Sequence, residues 1–177
     1  MRNSKFQSGV TLIELMVSVT IFVIILLVTT QIFQMVINSQ RLTIASQDMQ
    51  ESIRYTFDKM SKEVRMAMRD NTGLCVDAGK IYKLNAAKDE LTFYNYHGRC
   101  VRYFISSGRL SRQEDSGAAQ YITPPNLNIS GLKYRLDGAV AGSQPRVLLR
   151  FQMMITAKGG QTQTMIVQTS LSSRFYE

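Results

Sequence analysis

Histidine occurs once in this chain and cysteine twice, fewer nitrogen and sulfur donors than the four that a structural zinc centre uses. Cys75 and Cys100 are too far apart for a Cys-x-x-Cys metal or redox motif, and no His/Cys cluster surrounds them. There is no GxSxG, HExxH or phosphate-cradling glycine loop, and no nucleophile with a base beside it, so the sequence offers no catalytic residues and calls for no cofactor. His97 sits in turn-forming company and reads as a surface residue. Asp77, Asp89 and Glu90 lack the alternating oxygen spacing of a calcium loop. Proline is missing from residues 10–69, which removes the strongest reason for a helix to break there.

What is present is unevenly placed. The hydrophobic share of 45% is ordinary, yet residues 10–37 are almost continuously apolar while the remainder reads as a soluble domain. Residues 1–9 (MRNSKFQSG) are short, polar and basic, and the run that follows has about the 20 residues needed to cross a bilayer. In a secretory signal the apolar part is shorter and ends in a small-residue cleavage site. Here it is long and continues into more helix, so it is expected to be retained, with any processing ahead of it. Arg2, Lys5 and the initial amine precede the span, whereas Arg41 beyond it is balanced by Asp48 and Glu51. The N-terminus is therefore expected on the cytoplasmic side and residues 73–177 outside the cytoplasm. In that compartment Cys75 and Cys100 are most simply a disulfide, the alternative being two free thiols. Losing Arg2 and Lys5 with a leader takes the 21 basic residues to 19 against 13 acidic ones, and the charge from +8 to +6. That excess favours anionic lipid, acidic partners or nucleic acid without choosing among them.

Glu14 interrupts the apolar run. A carboxylate at membrane depth costs a few kcal/mol unless it is paired or reaches the headgroups. Either Glu14 lies near enough to the interface to stay wet, or something cationic meets it.

The stretch Gly9-Val10-Thr11-Leu12-Ile13-Glu14-Leu15-Met16-Val17 resembles the class III signal of type IV prepilins and type II secretion pseudopilins. The resemblance implies a prepilin peptidase that cuts between Gly9 and Val10 and methylates the new amine of Val10. It implies that Glu14 pairs with the N-terminal amine of a neighbouring subunit, in an assembly surface that includes Leu12, Ile13 and Leu15. Two features depart from the family pattern: Val10 stands where phenylalanine is usual, and the span has no midway proline.

Beyond the span, Leu42, Ala45, Met49, Ile53, Phe57, Met60, Val64 and Ala67 recur at spacings of three and four, one apolar stripe on an amphipathic helix that needs a sheet to cover. Residues 70–73 (DNTG) suit a helix stop. The period then changes to that of strands over 80–84, 91–96, 100–105 and 110–113, with turns at His97-Gly98 and Ser107-Gly108. Residues 117–128 read as a connecting loop. A second group follows at 129–136, 147–157 and 162–171, its last pair joined across Gly159-Gly160. No helical crossovers separate the strands, so the expected class is α+β: a long N-terminal helix, half transmembrane and half amphipathic, packed on an antiparallel domain of about seven strands in two groups. In segments this gives a leader over 1–9, an assembly helix over 10–37, an amphipathic helix over 38–72 and a β-rich domain over 73–177. Most of the methionines fall in apolar positions and read as core packing.

The helix end ESIRYTFDKMSKEVRMAMR, the stretches VRYFISSGRLSRQ and NISGLKYRL, and the closing TSLSSRFYE resemble, weakly and in order, the minor pseudopilin J and the minor pilin W. That resemblance implies a tip or initiation complex made with other pilins in the bacterial inner membrane. A major pilin and a membrane-anchored protein that never assembles are the other readings. A separate reading of the residues is a binding module in which Arg99, Arg102, Arg109 and Arg112 engage DNA or a surface.

Overall fold

The structure, a computed structural model, describes residues 9–138, 143–157 and 160–174. The expected leader up to Ser8, the Lys158-Gly159 part of the last turn and the final residues 175–177 lie outside the described residues. The chain divides into two compact units, Met1–Arg41 and Leu42–Glu177, and the helix α1 (Leu12–Arg65) contributes to both.

In the first unit α1 has no buried side. Leu12, Ile13, Phe22, Leu27 and Phe33 are each more than half exposed, and the apolar residues lie all round the helix. This is the one helix among the described residues long and apolar enough to cross a membrane. Its hydroxyls are satisfied from within: Ser18, Thr20, Thr29 and Thr30 donate to the carbonyls of Glu14, Met16, Ile25 and Leu26 at 2.7–2.8 Å. A helix surrounded by hydrocarbon requires such bonds, because no water is there to replace them.

In the second unit α1 becomes one-sided. Ala45, Met49, Met60 and Val64 are buried and Ile53 and Phe57 partly so, which is the expected stripe. Each large member contributes about 1.5–3 kcal/mol by leaving water. Ala67 is also buried, but outside the helix. The helix ends at Arg65 and not near Arg69 because backbone partners in the sheet compete for the next amides: Met68 N–H donates to Tyr94 O at 2.8 Å and Asp70 N–H to Lys80 O at 3.0 Å. At the helix terminus the carbonyl of Arg65 accepts from Arg174 N–H, 3.0 Å away, at the far end of the chain.

Among the described residues eight strands form two antiparallel sheets, an α+β fold. The first contains β1 (Tyr82–Leu84), β2 (Leu91–Tyr94), β3 (Cys100–Ser106), β4 (Arg109–Glu114) and β5 (Gln120–Tyr121) in sequence order. The second contains β6 (Leu127–Asp137), β7 (Arg146–Thr156) and β8 (Thr162–Ser172), again in order. The strand β5 corrects the expectation of a plain loop over 117–128: Gln120 and Tyr121 pair with Arg112 and Ser111, a contact too short to leave any periodicity. Ser107 and Gly108, at φ 51° and 70°, form the primed turn of the β3–β4 hairpin. A side chain at Gly108 would come within 2.8 Å of Asn128 Oδ1, and its carbonyl accepts from Ile129 N–H at 2.7 Å, so this turn also fastens the first sheet to the start of β6. Phe57 on the helix meets Phe151 on β7 with ring centres 5.8 Å apart, while Phe93 and Tyr103 stack within the first sheet's helix-facing side at 6.0 Å.

Asp70 organises the segment between the helix and β1. Its Oδ1 accepts from Thr72 N–H, the Thr72 hydroxyl and Gly73 N–H at 2.6–2.9 Å, and its Oδ2 from Cys75 N–H and Val76 N–H at 2.8 and 3.1 Å. The Thr72 hydroxyl, with these amides, holds the carboxyl well below the usual carboxylate range. An unfolded aspartate ionises near pH 3.9, so the stabilisation is complete above about pH 5 and is lost as pH falls through and below that value. Asp70→Asn is expected to melt at lower temperature than the parent at pH 7, with the difference shrinking towards pH 2. Melting curves by circular dichroism across that range check it; a constant difference would show that ionisation of Asp70 is irrelevant.

Candidate functional site

Gly9, Val10 and Thr11 precede the helix and have no regular structure. Nothing lies within 4 Å of where a side chain at Gly9 would point, and Val10 is 72% exposed, so the described residues leave the Gly9–Val10 bond open to an incoming active site. Thr11 caps the helix: its Oγ1 accepts from Glu14 N–H at 3.3 Å and its carbonyl from Leu15 N–H at 3.2 Å. Thr11-Leu12-Ile13-Glu14 has the spacing of a capping box, with the acid at the third helical position. Glu14 thereby lies in the first turn, where the positive end of the helix dipole favours a carboxylate. Its side chain is exposed, and Leu12, Ile13 and Leu15 beside it are 78%, 70% and 59% exposed. The arrangement is a single acid set in a bare apolar surface one helical turn beyond Val10.

Cys75 and Cys100 are joined as a disulfide with Cα atoms 5.4 Å apart, inside the usual range for a bridge. Both half-cystines are also held through their backbones. Cys75 N–H donates to Asp70, and Cys100 N–H donates to Asp115 Oδ1 at 2.8 Å.

The four arginines do not converge on one surface. Arg112 is turned inward, its side chain 12% exposed, with Nε 3.0 Å from both Glu63 oxygens and Nη1 2.8 Å from Glu114 Oε2. Arg99 reaches the other oxygen of Glu114 at 3.0 Å, so these two arginines share one carboxylate. Register puts Arg102, opposite Gln113, on the other face of the sheet from Arg112, opposite Tyr103. There it bonds Gln113 and lies 3.5 Å from Glu90 Oε1. Arg109 stacks over Tyr121 at 4.0 Å and donates to the carbonyl of Thr123.

Sequence reasoning missed the partners. The Tyr103 hydroxyl donates to Glu63 Oε2 at 2.8 Å, so Glu63 on α1 joins β3 and β4 through one carboxylate. Burial works against the Arg112 cation, but the bonds from Glu63 and Glu114 outweigh it and hold its pKa above the usual arginine range. Arg112 in turn pulls Glu114 below the ordinary carboxylate range. Burial first, then the charge of Glu63, pushes Tyr103 up, which keeps it a hydrogen-bond donor. Glu63 and Arg112 are 49 residues apart, and no local spacing announces such a pair.

Asp77 bonds Lys83, Asp89 bonds Asn85 and Glu90 lies against Arg102, so these acids do not gather. Among the described residues no three His, Cys, Asp or Glu side chains form a group that would hold a metal ion. His97 is exposed in the β2–β3 turn, its ring 3.9 Å from that of Tyr96.

A family model described as the prokaryotic N-terminal methylation motif matches residues 4–30, the stretch that contains Gly9, Val10 and Glu14. No curated protein and no solved structure matches the chain.

Two stability measurements follow from this geometry. Replacing Cys75 and Cys100 by serine is expected to cost roughly 3 kcal/mol in chemical denaturation, since the bridge closes a loop with a sequence separation of 25. Arg112→Ala is expected to cost about 3 kcal/mol by stranding the largely buried Glu63. Pairing Glu63→Gln with Arg112→Met should recover most of that loss, and no recovery in the double variant would mean that packing of Arg112, and not its charge, holds the joint.

Proposed function

We propose that this chain, whose residues 4–30 match the prokaryotic N-terminal methylation motif, belongs to the type IV prepilin and pseudopilin family and is a structural subunit of a pilus-like filament and not an enzyme. A prepilin peptidase cuts between Gly9 and Val10 and methylates the amine of Val10. Before assembly the subunit is anchored in the bacterial inner membrane by the apolar part of α1, with its N-terminus on the cytoplasmic side and the β domain outside the cytoplasm. The Cys75–Cys100 bridge suits that compartment.

One observation carries the reading: an open Gly9–Val10 bond stands one helical turn ahead of Glu14, on a helix that is apolar all round. Within lipid the carboxylate of Glu14 demands a cation, and cleavage supplies one in the amine of Val10 on a neighbouring subunit. Pairing the two satisfies both charges and sets the axial register between subunits. Leu12, Ile13 and Leu15 then pack laterally against neighbouring helices.

Within the family we read the protein as a minor subunit of a tip or initiation complex, on the weak likeness of its β domain to the minor pseudopilin J and minor pilin W. A tip that grips DNA through Arg99, Arg102, Arg109 and Arg112 is less well served, because Glu114, Glu90 and Glu63 already engage three of them and the fourth stacks on Tyr121.

Glu14→Ala is expected to insert in the membrane at the parental level and to lose at least about tenfold in filament incorporation, the few kcal/mol of an unpaired charge being ample for that. Mass spectrometry of the membrane-extracted parent should find N-methylated Val10 as the first residue. Residues 1–9 still attached in cells with an active processing peptidase, or normal incorporation of the Glu14 variant, would overturn the proposal.

A further inference from the structure

The second sheet manages its two edges, β6 and β8, differently. At the outer edge of β6 the pairing register shifts between Ser130 and Lys133, and two backbone amides are engaged elsewhere: Ile129 N–H bonds Gly108 O and Tyr134 N–H bonds Lys88 O, each at 2.7 Å. A bulge, a lysine and occupied amides are the usual means of closing an edge to further strands. The strand β8 has none of them. It pairs with β7 without interruption along its full 11 residues, and over Thr162–Ser172 it has no charge, no proline and no glycine. Among the described residues no backbone hydrogen bond from outside the sheet reaches its free edge. Its outward side chains are exposed, Ile166 to 61%, and its inward Met165 and Val167 are only partly buried.

The outer face beside this edge is basic. Arg146 and Arg150 on β7 stand opposite Ser172 and Gln168 of β8, and Lys133 on β6 stands opposite Arg150. All three are exposed and, among the described residues, none has an acidic partner; the nearby Asp137 is bonded to Arg135.

We propose that the free edge of β8 is a docking edge for an extended segment of a different protein, one with acidic side chains on its outward face and apolar ones inward. Such a segment would add a strand to the three-stranded sheet by main-chain hydrogen bonds, the mode of β-augmentation. Strands lie about 4.8 Å apart, so the outward carboxylates of the incoming strand would stand about 10 Å from β7, within reach of the long side chains of Arg146 and Arg150. Its inward apolar residues would cover the open flank of Met165 and Val167. A second copy of β8 fits less well, because that strand carries no acid to offer to the arginines. The proposal stands apart from the filament reading, since it concerns a surface of the β domain alone.

Both cysteines are taken by the disulfide, so Ile166→Cys gives the chain a single thiol at this edge. The full-length variant would carry a photoreactive crosslinker at that thiol in cells of the native host, and mass spectrometry would read the sequence of the crosslinked peptide. The expected product is a peptide of another protein that alternates apolar and polar positions with acids among the latter. Gln168→Glu, which sets like charge against it, should lower the yield roughly tenfold, while Gln168→Lys should preserve it. Gln168 is exposed, so thermal melting should be unchanged in both variants. A crosslink to β8 of a second copy, equal yields from the Glu and Lys variants, or no crosslinked peptide would each overturn the proposal.

Discussion

The change in α1 from an apolar surface on every side, before Arg41, to an apolar stripe on one side, from Ala45 onward, sets what the remainder of the chain must do. The first part is apolar on every side and has no buried face, a surface that demands lipid or other helices. The second part demands a sheet. Ala45, Met49, Met60 and Val64 meet that demand only because both sheets bring apolar side chains to the helix.

The β domain is fastened to this helix by contacts of two kinds. Apolar packing, as between Phe57 and Phe151, supplies area without direction. Direction comes from a few polar bonds at defined places: Glu63 to Arg112 and Tyr103, the Tyr82 hydroxyl to Val64 O at 2.6 Å, and Gly108 O with Ile129 N–H between the sheets. Charged groups in such joints contribute less to net stability than to excluding other arrangements, since an alternative packing would leave Glu63 or Arg112 buried alone.

Much of this was legible in the sequence, for physical reasons that differ by element. The stripe from Ala45 to Val64 was readable because a helix repeats every 3.6 residues, and the strands because alternation has period two. The turns at Ser107-Gly108 and His97-Gly98 announced themselves through glycine. The Cys75–Cys100 bridge followed from the expected compartment, and the methylation motif, matched over residues 4–30, from a local run of residues. What was not legible depends on distant partners. Arg112 looked like a free cation because its two carboxylates belong to different elements, and Arg99 because its partner Glu114 lies across a hairpin. The helix ended before its pattern did because Tyr94 and Lys80 offered carbonyls that no local pattern reveals. Asp70 passed for a helix-stop residue although it anchors five donors. The pairing of Gln120 and Tyr121 was hidden by its brevity.

The bond from Arg174 N–H to the carbonyl of Arg65 has a bearing on the order in which the molecule is completed. A ribosome delivers Arg65 109 residues before Arg174, so the helix terminus waits for the whole intervening β domain before its cap arrives. Until then the final turn has one fewer partner and frays more easily. Completion of the domain is thereby tied to the delivery of Arg174, and a chain cut short before β8 would keep an unsealed helix end.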